Sequence, residues 1–361
     1  MTNRIASSLK SNSSASDYSE FEEISTEFQN PGQRATQLNP LACLNLESRE
    51  TRVEVCGSVF TLKQLIDATR KFSPQMELCR GTSGVLYKAE LPNLNVAVEK
   101  MHQYSKDIHE IRRNILVRKQ LEHDNIVKLL DSCSIKNLDL LIYEYMENGS
   151  LKQVLFESSP VVLSWDLRFK ICLGVARGLR HLDDEISCSR LVNGSIQPSN
   201  IMLDANLNAK LMDFDPKWFT SDDDPFMMLK SSSVMYMAPE YCVRRAKTEK
   251  AAVYSYGIVL FEIISGRRFA EIRENEILNE RLVSYDRRPL ELVDTRLVSY
   301  DYNQVLLVMN LAMMCIDSAP SRRPTMFEVV KVLEGERTIY EVSDVEVLEG
   351  GRTIYEVSYE E

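Results

Sequence analysis

Leu138-Asp139-Leu140-Leu141-Ile142-Tyr143-Glu144-Tyr145-Met146-Glu147-Asn148-Gly149-Ser150-Leu151 is the stretch at which the chain changes its period. Residues 138–143 form an apolar run of strand length, and Gly149 punctuates it. Upstream lie two further β-rich segments, 84–89 and 96–98, and a helix-like stretch at 108–121. Before them, Leu62, Leu65, Ile66 and Thr69 keep helical spacing within 60–69. Downstream the helical period dominates, at 163–182, 250–264, 303–315 and 326–333. A small β-rich lobe followed by a larger helical lobe predicts an α+β protein with a cleft between the lobes.

The chain has 361 residues, 44% hydrophobic and 27% charged, as suits a globular protein. Its net charge of −10 argues against nucleic acid or an anionic membrane surface as the main partner, since both favour basic patches. Cys43, Cys56, Cys79, Cys133, Cys172, Cys188, Cys242 and Cys315 show no C-x-x-C spacing and no zinc-like cluster. They read as reduced thiols of a cytoplasmic protein. No apolar run follows Met1, position 2 is Thr rather than Gly, and the apolar segments 254–264 and 305–316 are too short to span a bilayer. The expectation is therefore no direct membrane insertion, with recruitment to the plasma membrane only through a partner.

Three divisions are expected. Residues 1–58 hold eight serines in the first 25 positions, followed by Glu20, Glu22, Glu23 and Glu27, and read as a disordered tail. Residues 59–335 read as the folded domain, with lobes near 72–143 and 147–335. Residues 336–361 belong to a duplicated tail: the sequence from Val332 to Ser343 recurs from Val347 to Ser358 with one difference. Thr-Ile-Tyr-Glu-Val in each copy suggests β structure.

Several phrases in order carry a resemblance. They are residues 60–72, the hinge-like 141–151, Phe169–Leu179, Met237-Ala238-Pro239-Glu240-Tyr241 and Arg323-Pro324-Thr325-Met326. Over residues 60–335 the chain resembles the kinase domain of plant receptor-like kinases, of the leucine-rich-repeat and cytoplasmic types. The resemblance implies a two-lobed protein kinase fold and a Ser/Thr kinase ancestry. It also implies a buried pair between Glu240 and Arg323, while Trp165, Gly257 and Pro324 match fold-defining positions.

The chemistry matches less well. In the family's H-R-D-x-x-x-x-N loop the Asp receives the substrate's proton and the Asn holds a metal ion. Here Asn193, Gly194, Ser195 and Gln197 stand at the His, Arg, Asp and Lys positions, and Asn200 is kept. A neutral Ser195 cannot act as a base near neutral pH. The phosphate-binding Lys is replaced by Glu99, and Lys100 should point to the opposite face of the strand. Its helix Glu is replaced by Asn114, and Arg118 falls at an apolar position. Cys79 replaces the first glycine of the glycine-rich loop, leaving Gly81 and Gly84. The metal-binding D-F-G reads Asp213-Phe214-Asp215, and Ala252 replaces the Asp that anchors the catalytic loop.

What the resemblance leaves is a nucleotide set of Gly81, Gly84, Leu86, Ala97, Glu144, Met146 and Met202, and a metal pair of Asn200 and Asp213. ATP with Mg²⁺ or Mn²⁺ stays a candidate cofactor, with Glu99 as the objection to it. The reading favoured is a catalytically impaired pseudokinase acting as adaptor, scaffold or allosteric partner of active receptor-like kinases. The alternative is a weakly active Ser/Thr kinase, which needs a substitute cation and a substitute base; Asp204 or Asp215 could be proposed as the base, but nothing in the spacing supports either. A non-functional duplicate is the third reading. Asp222-Asp223-Asp224 reads as a solvated acidic loop or a phosphate mimic, and Ser231-Ser232-Ser233 as a polar linker or a phosphorylation site.

Overall fold

The computed structural model describes residues 55–56, 59–80, 84–102, 115, 118–119, 121–135, 138–157, 162–185, 196–212, 232–244, 248–274 and 289–343. The chain divides into two compact units. One comprises Met1–Asp107 and Leu129–Tyr145, the other Ile108–Lys128 and Met146–Glu361.

Among the described residues, the first unit is a six-stranded antiparallel sheet with one α-helix against it. Its strands are β1 (Val55–Cys56), β2 (Glu77–Arg80), β3 (Gly84–Leu91), β4 (Leu94–Met101), β5 (Leu129–Ile135) and β6 (Leu138–Glu144), and its helix is α1 (Leu62–Ala68). The strand order is β1-β5-β6-β4-β3-β2. Helix α1 starts where the sequence places its signal. The Thr61 side chain accepts from the Gln64 N–H and Gln64 Oε1 accepts from the Thr61 N–H, a capping box. Leu62, Leu65 and Ile66 are buried with Val85, Tyr87, Val96, Val98, Leu140 and Ile142 in one core.

The strand expectations at 84–89, 96–98 and 138–143 all hold, each a residue or more short of the observed strand. The pairing also reaches back into the span expected as a tail, because Val55 and Cys56 pair with Ser134 and Cys133. Asp131, 3% exposed in the middle of β5, fastens the entry to α1. Its Oδ2 accepts from the Val59 and Phe60 N–H groups at 3.1 and 3.2 Å, and its Oδ1 from the Ser132 N–H at 2.8 Å. Asp131→Ala should remove the charged acceptor shared by three part-buried N–H groups, at a cost of about 1–3 kcal/mol. Thermal unfolding measures that cost, and hydrogen exchange should rise over residues 59–68; unchanged protection there would contradict the clamp.

The second unit is mainly helical. Its helices are α2 (Leu151–Phe156), α3 (Trp165–Glu185), α4 (Pro239–Arg244), α5 (Glu249–Ser265), α6 (Phe269–Glu274), α7 (Tyr302–Cys315), α8 (Met326–Leu333) and α9 (Ile339–Ser343), and a hairpin of β7 (Ile201–Leu203) and β8 (Ala209–Leu211) joins them. Helix α5 is buried on nearly all sides, as its continuous apolar composition demands. Thr248 caps its start and Gly266, at φ +61°, its end. Helices α3, α5, α7 and α8 share one core that includes Trp165, Ile171, Ile258, Phe261, Leu311 and Val329.

The four helical expectations downstream of Gly149 correspond to α3, α5, α7 and α8, and α8 has the expected bounds. Of the stretch 108–121, Ile115, Arg118 and Lys119 are helical and most of the rest lies outside the described residues. One expectation is corrected. The first tail copy is not β: residues 339–343 form α9, because Thr338 and Glu341 cap a helical turn whose Ile339 and Val342 reach the core. The fold therefore continues past residue 335.

Candidate functional site

In the first unit, the site expectations fall on β3, β4 and β6. Gly84 begins β3 opposite Met101, and a Cβ there would lie 2.3 Å from the Lys100 carbonyl oxygen, so only glycine fits this approach. Leu86 pairs with Glu99, and Ala97 lies between Lys88 on β3 and Tyr143 on β6. Leu86 and Ala97 are buried. Glu144 ends β6, half-buried, opposite Val96.

Glu99 and Lys100 behave as strand geometry requires. Lys100 sits over the Phe72 ring, 5.7 Å from its centroid. Phe72 belongs to the core that α1 covers. Glu99, on the other face of β4, is met by Tyr143, whose hydroxyl donates to Glu99 Oε2 at 3.3 Å. No bulge interrupts β4 at this point, since its register with β3 runs unbroken from Leu94 to Met101. Position 99 thus presents a carboxylate anchored by a phenol. Sequence reading missed Tyr143, although the signal is in the register. Glu99 pairs with Leu141, which makes Tyr143 its diagonal neighbour on the same face.

In the second unit, Met146 is buried and its carbonyl accepts from the Gly149 N–H at 3.3 Å. Met202 is half-buried in β7, bridged to Ser150 and paired with Lys210. Asn200 closes the short turn before β7. Its backbone carbonyl accepts from the Met212 N–H at 2.8 Å, which ties it to the residue before Asp213. Its Oδ1 accepts from the Ser199 hydroxyl at 3.0 Å and keeps a lone pair for a hard cation.

Gly81, Asn114, Ser195 and Asp213 lie outside the described residues, as do Asn193, Gly194, Phe214, Asp215 and Asp222-Asp223-Asp224. Arg118 is buried, and Ala252 is 1% exposed within α5.

Asp204, one of the two carboxylates that could replace the missing base, is occupied elsewhere. Its oxygens accept from the Asn206 N–H, the Asn208 N–H and the Asn208 side-chain amide at 2.7–2.9 Å, shaping the turn between β7 and β8. Burial pushes its carboxyl up, but these bonds outweigh burial and hold it below the usual carboxylate range. A base held in its ionised form by three donors is a poor proton acceptor.

The structural pair expected at Glu240 and Arg323 is present. Arg323 Nη1 and Nη2 donate to Glu240 Oε1 and Oε2 at 2.6 and 2.8 Å, a two-point contact. Arg323 also donates to the Asp317 and Lys250 carbonyls and lies over the Tyr254 ring. A second buried network was not foreseen. Glu262, with no exposure, accepts from the Tyr236 hydroxyl at 2.9 Å and the Phe269 N–H at 2.9 Å. Burial pushes its carboxyl up to about 7.

An antiparallel sheet covered by a helix, and a helical unit in which Asn200 directly precedes the β7–β8 hairpin and Asp213 follows it in sequence, define a protein-kinase fold. The pattern of the protein tyrosine and serine/threonine kinases matches residues 72–333, and the chain belongs to that family. Its relatives are plant receptor-like kinases. An Arabidopsis thaliana protein named a probable LRR receptor-like serine/threonine-protein kinase is 38% identical, over 78% of this chain and 29% of its own length. Cysteine-rich receptor-like protein kinase 10 of Oryza sativa subsp. japonica is 34% identical, over 82% of this chain and 48% of its own. Among solved structures, the pseudokinase domain of BIR2, an immune regulator of the RLK/Pelle family, is similar. It has a TM-score of 0.65 and 27% identity, covering 78% of this chain and 89% of that one. The chain spans 29–35% of the length of the Arabidopsis relatives it matches. Among the described residues, no helix is long and apolar enough to cross a membrane.

Proposed function

We propose that this chain is a pseudokinase: a kinase-fold protein that does not transfer phosphate and acts by binding other signalling proteins, active receptor-like kinases foremost. The observation that carries this reading is Glu99, held by Tyr143 where the family places a phosphate-binding Lys, with Lys100 committed to the opposite face. A carboxylate repels the phosphates that an ammonium would attract. Ser195 at the general-base position and Ala252 at the anchoring position support it further. BIR2, a pseudokinase that regulates immunity, offers a precedent of similar fold.

Asn200 keeps an oxygen lone pair for a hard cation, whereas Glu99 is unsuited to phosphate. Asn200 and Asp213 would hold Mg²⁺ or Mn²⁺, which neutralises phosphate charge when bound. Gly81, Gly84, Leu86, Ala97, Glu144, Met146 and Met202 would hold ATP, against Glu99. The chain's action would be cytoplasmic, reaching the plasma membrane through its partner.

Incubation of the purified chain with labelled ATP and Mg²⁺ or Mn²⁺ tests this directly. The expected result is no label on the chain or on a general protein substrate. Label that appears in the native chain and disappears in Asp213→Asn would overturn the proposal in favour of a weakly active kinase.

A further inference from the structure

The first copy of the tail repeat is built into the second unit. Val332 and Leu333 end α8 and are buried. Gly335 turns the chain at φ +73°, and the N–H groups of Glu336 and Arg337 return to the Lys331 carbonyl. The Thr338 N–H donates to Glu341 Oε2 at 2.7 Å and the Glu341 N–H to Thr338 Oγ1 at 3.4 Å. Helix α9 then lies against α7, with Val342 9% exposed and Ile339 packed on the same core.

Four side chains thus seat α9: Thr338 and Glu341 cap it, and Ile339 and Val342 anchor it. The second copy supplies Thr353, Ile354, Glu356 and Val357 in the same order, and Gly350 where Gly335 turns. The single difference, Gly351 in place of Glu336, falls outside the stretch that matches α9, and Glu336 keeps its place beside Lys331 in either form. Such equivalence is not a given for repeats in this chain. Residues 281–286 and 296–301 share Arg-Leu-Val-Ser-Tyr-Asp. Yet Arg296 binds Asp294 two positions before it, and Asn279 stands two positions before Arg281.

We propose that residues 353–358 exchange with residues 338–343 for this seat, within one chain. The connection from α8 lengthens from residues 334–338 to residues 334–353, two doublings. Loop-closure entropy then disfavours the exchanged form by roughly tenfold. The first copy holds the seat most of the time and the second is a reserve. The tail of another molecule competes poorly, because a short tether gives an effective concentration of about millimolar, far above a micromolar protein solution.

Three variants of the full chain test the exchange by thermal unfolding. Ile354→Asp with Val357→Asp should melt with the native chain. Ile339→Asp with Val342→Asp should lose little, because the second copy takes the seat. All four changes together should melt several degrees below either pair. If the first-copy pair and the fourfold variant melt at the same temperature, no exchange occurs and the proposal fails. It fails in its single-chain form if the difference between those two variants grows with protein concentration.

Discussion

Asp294→Ala is expected to remove about 3–5 kcal/mol of folding stability and to lower the melting temperature by on the order of 10 °C. The cause lies in Arg168, whose side chain is 1% exposed. Its Nη2 donates to Asp294 Oδ2 at 2.5 Å, and its other nitrogens reach the Leu163 and Ile263 carbonyls at 3.0 and 2.7 Å. Without Asp294 the guanidinium keeps two neutral acceptors and loses its only buried counter-charge among these contacts. Arg168→Met with Asp294→Ala should be milder than Asp294→Ala alone, because no buried charge remains. A double-mutant cycle reads the difference; equal losses would mean that Arg168 does not need its partner.

The same aspartate sets a pH dependence. Burial alone would raise its carboxyl, but hydrogen bonds from Arg296 and Arg168 outweigh burial and hold it far below the usual carboxylate range. Its folded-state pKa therefore lies under the unfolded value of about 3.9. Its stabilisation is complete above about pH 5 and is lost as pH falls through the acid range. Stability below pH 4 should consequently fall more steeply in the native chain than in Asp294→Ala.

How legible such features are depends on how local their cause is. Helix α8 is readable to the residue because Thr325 and Glu328 form a capping box directly before an apolar run. Strand β5 escapes notice although its burial alternates perfectly, because Asp131 occupies an inward position and breaks the apolar period. Strand β2 is mostly exposed and carries no pattern to find. Arg168 and Asp294 are 126 positions apart, and nothing near either one announces the other. The Glu240–Arg323 pair was foreseen only through family resemblance. In the candidate site, Glu99 is conspicuous in the sequence because its residue type is wrong for phosphate. Its partner Tyr143 appears only once the register of β4 and β6 is fixed.

Glu99→Lys should separate nucleotide binding from chemistry. In the native chain, millimolar ATP with Mg²⁺ should leave the melting temperature unmoved, because the Tyr143-held carboxylate opposes the phosphates. With Lys at position 99 the repulsion becomes attraction, while Asn200 and Asp213 are unchanged. A ligand at about 100 times its Kd adds about 2.7 kcal/mol, a rise of several degrees. Phosphate transfer should still be absent. Loss of a general base costs about 10²–10⁴-fold and loss of a main electrostatic stabiliser about 10²–10³-fold, from a kinase turnover of about 1–100 per second. Multiplied in full, even the smaller losses would leave native turnover at or below about 10⁻² per second; groups that act as a unit lose less than that product. Adding Ser195→Asp to Glu99→Lys should be the first combination to show measurable transfer, held low by Asn114 and Ala252. Ser195→Asp alone should show neither a thermal response nor transfer, since a base without bound nucleotide has nothing to act on. Should Glu99→Lys leave the thermal response where the native chain has it, position 99 does not face the phosphates and the block to catalysis lies elsewhere.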